Sequence, residues 1–175
     1  EVQGVNPCSE QTLESYGCCC LGSVNLSAFV REPFTERASI DWDSLTRATQ
    51  FGVRFLDNVL DYNAERHPLQ QQKEASLWSR RIGVGITGLG DMLIKLGLKY
   101  DEDSTIGFVD HLFERIKNVI YDYSSDLAKE KGSFPAFDAE KHLSTDHGGA
   151  ITTNDKAFAD ACRKFALMRG AVNVP

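Results

Sequence analysis

The chain has 175 residues, of which 42% are hydrophobic and 25% charged, values typical of a globular protein large enough to bury one core. A formal net charge of −6 with scattered Lys and Arg disfavours a nucleic-acid groove, and no apolar run reaches the roughly 18 residues of a membrane helix. Five cysteines, an odd number with three in a row, are untypical of a secreted disulfide framework, so we predict a cytoplasmic protein without nucleic-acid or membrane partners.

The first 40 residues predict a loop, a strand and a connection. Residues 1–16 contain Pro, Asn, Ser and Gly without a sustained period, which is typical of a loop. In residues 17–30, small and β-branched side chains predict a short buried strand that gives way to a helical turn near Asn25. Residues 31–40 are a polar connection.

The region 41–132 is predicted to be mainly helical. Asp41 is a candidate N-cap for a helix that runs to about Ala64, and a second helical stretch covers about 69–80. Residues 81–87 are β-branched and glycine-spaced, which predicts a second short buried strand. The sequence LGDMLIKLG then continues as a helix.

The longest predicted helix begins near Asp103 or Ser104 and ends at Gly132, a candidate C-cap. Residues 133–175 are predicted to form a loop and a last helix. The fold class is therefore α/β, mostly α-helical, with two short buried strands. The apolar stripe predicted to be buried on the longest helix consists of Ile106, Val109, Phe113, Ile116, Ile120 and Leu127.

Four thiols lie between Cys8 and Cys20, and metal binding does not explain them well. Adjacent cysteines on a strand alternate between its two faces, and the chain has neither a C-x2-C pair nor a His-x3-His pair for a zinc site. Structural burial suits Cys18, Cys20 and Cys162, because free cysteine is among the most buried residue types. It suits Cys8 poorly, since that residue follows a proline in a polar loop.

Cys8 is flanked two residues away by Asn6 and Glu10. A nucleophilic cysteine needs an imidazole base, which is not near in sequence, and a neighbouring carboxylate disfavours the thiolate. A thiol that abstracts a hydrogen atom needs no such base, only groups that hold the substrate's hydroxyls. In an extended loop, alternate residues project to one side, so the three side chains suit that radical chemistry. The nucleophilic and packing alternatives stay open at this point.

Three ordered segments resemble the large subunits of ribonucleotide reductases, most closely the adenosylcobalamin-dependent class II branch. NPCSE followed by YGCCCLGSVNL is similar to the catalytic finger loop and the next barrel strand, and RRIGVGITGLGDML and EKGSFPAFD are similar to later parts of the same domain. The resemblance covers about residues 4–137. It implies that 1–175 is a partial catalytic domain, a fragment of a ten-stranded α/β barrel, with its finger loop at 1–16 and a barrel strand at 17–30.

The resemblance also implies roles for individual residues. Cys8 would be the transient thiyl that takes the ribose 3′-hydrogen, Glu10 the base on the 3′-hydroxyl, and Asn6 a hydrogen-bond partner of the substrate's hydroxyls. Cys19 would be one member of the redox thiol pair, with its partner on an upstream strand outside this chain. Cys18 and its neighbour Cys20 would be structural.

The family further implies the cofactor and the partners. Adenosylcobalamin is the expected cofactor; the alternative is a class I large subunit, which receives its radical from a metal-containing small subunit. The substrate would be a ribonucleoside di- or triphosphate, reduced for DNA synthesis with a thioredoxin- or glutaredoxin-type reductant. The chain starts at Glu1 within a motif, so we expect it to be a piece of a longer protein, a homodimer at full length. The resemblance implies that the isolated piece is inactive, because it lacks the redox partner of Cys19 and the loop that binds the substrate phosphates. A non-catalytic helical interaction or metal-binding module is the remaining alternative.

A G-x-G-x-x-G pattern at Gly83, Gly85 and Gly88 suggests a dinucleotide site. A helical stretch precedes it and no second strand pattern follows, so we disfavour that function. Close packing of a helix on the strand is the predicted reason for these glycines.

Overall fold

The structure, a computed structural model, describes residues 3–6 and 11–136. The predicted last helix lies outside these residues. The strands are β1 (Gly4–Val5), β2 (Thr12–Leu13), β3 (Cys20–Asn25), β4 (Val30–Arg31), β5 (Ser39–Ile40) and β6 (Ile82–Thr87). The helices are a 3-10 turn (Leu26–Phe29) after β3, then α1 (Trp42–Asn63), α2 (Gln70–Ser79), α3 (Leu89–Leu96) and α4 (Asp103–Lys131).

The segment predicted as a plain loop, 1–16, contains a short antiparallel strand pair. Gly4 pairs with Leu13 and Val5 with Thr12, and the Gln3 N–H donates to the Leu13 carbonyl at 2.9 Å. The loop prediction was wrong here because two-residue strands are too short to produce an alternating apolar pattern.

The two six-residue strands β3 and β6 pair in parallel, from Cys20 opposite Ile82 to Asn25 opposite Thr87. Parallel neighbours need a long crossover, which α1 and α2 provide. Both strands were predicted to be buried, and this is correct for one face only. Along β3 every second residue is exposed, with Leu21 57% exposed, because the described helices cover a single side of the pair.

Helix α1 covers that side. It begins after Asp41, whose Oδ1 accepts a hydrogen bond from the Ser44 N–H at 3.1 Å, as the sequence predicts. The nearest atom to a Cβ built on Gly22 of β3 would be Leu56 Cδ2 of α1, at 3.4 Å, so the absent side chain lets the helix approach the strand closely. The buried residues of α1 are Leu45, Thr49, Val53, Leu56 and Leu60.

Helix α4 packs on α1 and ends at Gly132, as predicted, and Ile116 and Leu127 of the predicted stripe are buried, but two other positions of the stripe are exposed. Ile106 is 62% exposed and Phe113 41% exposed, whereas the buried face runs through Thr105 and Leu112. Positions 105 and 112 are seven residues apart and share one face, about 100° away from the face that 106 and 113 share. The prediction weighted large apolar side chains, and a buried threonine does not produce that signal.

Candidate active site

Alternation along β3 separates the consecutive cysteines. Cys20 packs against a core cluster that includes Val53 of α1 and Ile82 of β6. Burial, and after it the neighbouring Cys18, raises the pKa of the Cys20 thiol above its ordinary value. A thiol held neutral against apolar side chains is a poor nucleophile, and this suits a structural residue.

Cys19 lies on the opposite side of the strand pair. A Cβ atom built on Gly83 would be 3.6 Å from Cys19 Sγ and only 2.5 Å from Leu21 Cδ2. Cys19 is half-buried and precedes β3 by one residue. We call the side of the pair that none of the described helices covers the open face. It is formed by Leu21, Ser23, Gly83 and Gly85, and the Cys19 sulfur lies at its edge.

The glycine prediction needs a correction at this face. Gly83 and Gly85 are paired with Leu21 and Ser23, and their absent side chains would point away from α1, so helix packing does not explain them. Gly88 has a different reason: its φ is +69°, and a Cβ there would collide with the Asn25 side-chain oxygen. The first two glycines instead leave the open face with little side-chain cover.

The β1–β2 pair brackets the segment that carries the predicted radical thiol. The Asn6 N–H donates to the Gln11 carbonyl at 3.0 Å, so the two residues that flank positions 7–10 are hydrogen-bonded to each other. Asn6 is 6% exposed, so this predicted substrate contact is a buried residue. Cys8 and Glu10, the other two predicted catalytic residues, lie outside the described residues.

An ion pair ties this hairpin to the strand pair. Arg81 Nε donates to Glu14 Oε2 at 3.0 Å, and both side chains are less than one third exposed. Burial alone would raise the pKa of Glu14, but hydrogen bonding from Ser79 and the nearby Arg81 hold that pKa below its ordinary value. The Arg81 carbonyl also accepts from the Cys20 N–H at 3.3 Å.

Arg81 therefore contacts both the chain after β2 and the start of β3. Sequence reasoning missed this pair, because the only local signal was an adjacent pair of arginines at 80 and 81. A contact between residues this far apart in the chain produces no periodic pattern in the sequence.

Among residues 3–6 and 11–136, no group of three or more His, Cys, Asp or Glu side chains is placed to hold a metal ion. No helix in those residues is both long enough and apolar enough to cross a bilayer.

The described residues contain a parallel strand pair that helices cover on one side, with a cysteine at the edge of the other side, which is an α/β arrangement. Comparison with known families agrees: the model of the ribonucleotide reductase barrel domain matches residues 1–159. The chain belongs to this family.

Curated relatives belong to the same family, and their names specify the kind of reductase. The chain is 37% identical over 136 residues to a vitamin B12-dependent ribonucleoside-diphosphate reductase of Mycobacterium tuberculosis (strain CDC 1551 / Oshkosh), covering 78% of the chain and 19% of that relative. Against the same-named protein of Thermoplasma acidophilum it is 36% identical over 137 residues, 78% of the chain and 17% of the relative.

A relative with a different name also matches. The ribonucleoside-diphosphate reductase subunit alpha of Chlamydia muridarum is 34% identical over 123 residues, covering 70% of the chain and 11% of that protein. The chain thus spans about a fifth, or less, of the length of these curated relatives.

Proposed function

We propose that the protein containing this chain reduces ribonucleotides to 2′-deoxyribonucleotides by thiyl-radical chemistry, within a ten-stranded α/β barrel. The observation that carries the proposal is the position of Cys19 at the edge of the open face, beside a glycine, in a chain of the reductase barrel family. A redox thiol must be reachable by its partner thiol and by the substrate, and a helix-covered thiol such as Cys20 is not.

The proposed roles divide the chemistry between two segments. Cys8 as a thiyl takes the 3′-hydrogen atom and returns it at the end of the turnover, which regenerates the thiyl. Glu10 takes the proton of the 3′-hydroxyl and gives it back, and Asn6 binds substrate hydroxyls. Cys19 and a second thiol lose two electrons and two protons to form a disulfide, while the 2′-hydroxyl leaves as water and a hydrogen replaces it. An external dithiol of the thioredoxin or glutaredoxin type then reduces the disulfide.

Adenosylcobalamin is the proposed cofactor, because the relatives from M. tuberculosis and T. acidophilum are named vitamin B12-dependent. When bound, it supplies the radical that oxidises the thiol. The described residues place no imidazole at the open face: His67 follows α1, and His111 lies on α4 against the Trp42 ring. Cobalt ligation is therefore not assigned to either histidine.

The proposed substrate is a ribonucleoside diphosphate, as in the names of these relatives, and the proposed assembly is a homodimer in the cytoplasm. A class I large subunit is the second candidate, because the relative from C. muridarum is named a subunit alpha. The two candidates differ in one measurable respect, since a class I enzyme requires a second protein and no cobalamin.

The test uses the full-length enzyme with added adenosylcobalamin and a dithiol reductant. Cys8→Ser should abolish deoxyribonucleotide formation, whereas Cys18→Ser, a substitution in the same cysteine-rich region, should retain it. Full multiple turnover by the Cys8→Ser enzyme would refute the proposed function. Activity that needs a metal-containing partner and ignores cobalamin would instead identify the class I candidate.

A further inference from the structure

The closest steric constraint at the open face involves Gly83, Leu21 and the Cys19 sulfur. A Cβ on Gly83 would meet Leu21 Cδ2 at 2.5 Å, a separation that real Cβ atoms essentially never show. The same atom would be 3.6 Å from Cys19 Sγ, an ordinary van der Waals contact. A side chain at position 83 would therefore displace Leu21 and touch the thiol.

The strand register explains why this constraint is local. Leu21 is paired with Gly83 in the parallel register, so both residues present the same face, and Cys19 is two residues before Leu21 on that face. Leu21 is 57% exposed, and its Cδ2 already leans over the position of the absent Cβ. Gly85 is paired with a smaller residue, Ser23, and a Cβ on Gly85 would be 3.3 Å from Ser23 Oγ. That Cβ would not be near the Cys19 thiol.

We propose that Gly83 is a positioning residue for the redox chemistry: it accommodates the Leu21 side chain and so keeps the Cys19 thiol accessible to its reaction partners. The inference rests on the proposed reductase function and deepens it, because it identifies what sets access to the redox thiol. Thiol–disulfide exchange needs an approach to sulfur along a line free of side chains. With Gly83 in place, Leu21 Cδ2 lies over the neighbouring strand, and position 83 adds no side-chain atom beside the Cys19 sulfur.

The primary test is the alkylation rate of Cys19 in the reduced, full-length enzyme, measured with iodoacetamide and resolved by peptide mass spectrometry. In Gly83→Ala, the displaced Leu21 should slow alkylation at Cys19 by about fivefold or more, because access controls thiol reactivity, whereas the methyl group itself makes only an ordinary contact with the sulfur. Alkylation at Cys18 should change by less than twofold and serves as the internal reference. Equal alkylation rates at Cys19 in the wild-type and Gly83→Ala enzymes would overturn the proposal.

Rescue separates positioning from general damage to the strand. Leu21→Val removes the Cδ atoms that the new methyl group would meet, so Gly83→Ala/Leu21→Val should restore the rate at Cys19 to within about twofold of the Leu21→Val enzyme, as expected when two mutations share one contact. Gly85→Ala is the matched control, a glycine of the same strand and face that lacks contact with Cys19. Failure of the rescue, or equal slowing by Gly85→Ala, would overturn the proposal; circular dichroism and thermal melting establish that each variant is folded.

Turnover links the effect to function. Gly83→Ala should lower kcat with a dithiol reductant by a factor similar to the alkylation effect while the KM for the nucleotide changes by less than about twofold, since the substrate-binding step is not obstructed. A loss confined to KM would overturn the positioning role. Cys19→Ser tests the proposed function separately: full multiple turnover by that enzyme would refute the redox role of Cys19, whereas the alkylation rates report on Gly83 without reference to activity.

Discussion

Arg81 and Glu14, 67 residues apart in the chain, form an ion pair with Nε and Oε2 separated by 3.0 Å. Glu14 follows β2 directly, and Arg81 precedes β6 directly. The pair thus connects the hairpin that brackets segment 7–10 to the strand pair whose edge carries Cys19. The ion pair therefore helps to fix the position of the hairpin relative to the strand edge that carries Cys19.

Arg81→Ala should weaken that connection. The unfolding free energy should fall by about 1–2 kcal/mol, because Glu14 would keep a partly buried charge without its partner. Turnover of the full-length enzyme should fall further than stability alone explains, since small displacements of catalytic groups are costly. Urea denaturation and steady-state kinetics measure the two effects. Arg37→Ala, at an exposed pair with Glu32, is the control and should change neither measurably.

The N-cap of α1 predicts a pH dependence. The hydrogen bond from the Ser44 N–H, followed by the bond from Arg31, lowers the pKa of Asp41 from 3.8 to about 2. A lowered folded-state pKa means that the carboxylate stabilises the fold above pH 3.8, and that this stabilisation is lost as the pH falls towards 2. Asp41→Asn keeps a capping oxygen but does not titrate. Its melting temperature should therefore vary less than that of the wild type across this interval, and identical pH profiles would contradict the cap assignment.

Two glycines close together in the chain should respond in opposite ways to alanine. Gly88→Ala places a Cβ at a residue with φ of +69° and against the Asn25 oxygen that accepts from the Ser27 N–H, so we expect a loss of about 1–3 kcal/mol. Gly90→Ala, within α3 and with no described atom within 4 Å of the new Cβ, should instead gain up to about 1 kcal/mol from helix propensity. Chemical denaturation of both variants measures the difference, and equal effects would contradict the structural assignment.

The cluster that joins α1, α2 and α4 gives a fourth prediction. Arg80 donates to Asp57 Oδ1 and to Asp61 Oδ1, each at 2.6 Å, and Lys131 pairs with the same two carboxylates. Arg80→Ala leaves the largely buried Asp57 with one cation and should cost about 2–3 kcal/mol. Adding Asp57→Asn should recover part of that loss, because the partly unpaired charge is removed as well.

Denaturant midpoints of the single and double variants, arranged as a double-mutant cycle, measure this coupling. Lys129→Ala serves as the control, because its pair with Asp126 is exposed on both sides. Strictly additive losses for Arg80 and Asp57 would contradict the proposed network.

Local sequence signals predicted much of the helical framework. Asp41 and Gly132 mark helix ends through capping chemistry that depends on only a few neighbouring residues, and both ends lie where the sequence places them. The strand in 81–87 was likewise visible from its β-branched residues, and it spans Ile82–Thr87. These features depend on short stretches of chain, so a single sequence contains enough information to find them.

The remaining features depend on contacts between distant segments. The rotation of the α4 face toward Leu112 is set by what α1 presents to it, and the Glu14–Arg81 pair is set by how the hairpin lies on the strands. At the candidate site, alternation predicted opposite faces for Cys19 and Cys20, but the face left open depends on where α1 packs. The catalytic roles of Asn6, Cys8, Glu10 and Cys19 stay predictions.

The β3–β6 register gives the three consecutive cysteines a further consequence, which concerns errors in strand alignment. A slip of one residue between two paired strands moves every side chain of the slipped strand to the other face. In most sequences this would replace an exposed side chain by one of different chemistry. Here a slip of β3 by one residue in either direction would place Cys18 or Cys20 where Cys19 now lies, on the same side of the pair. The repeated thiol therefore keeps a cysteine at that position even after an error of alignment during folding.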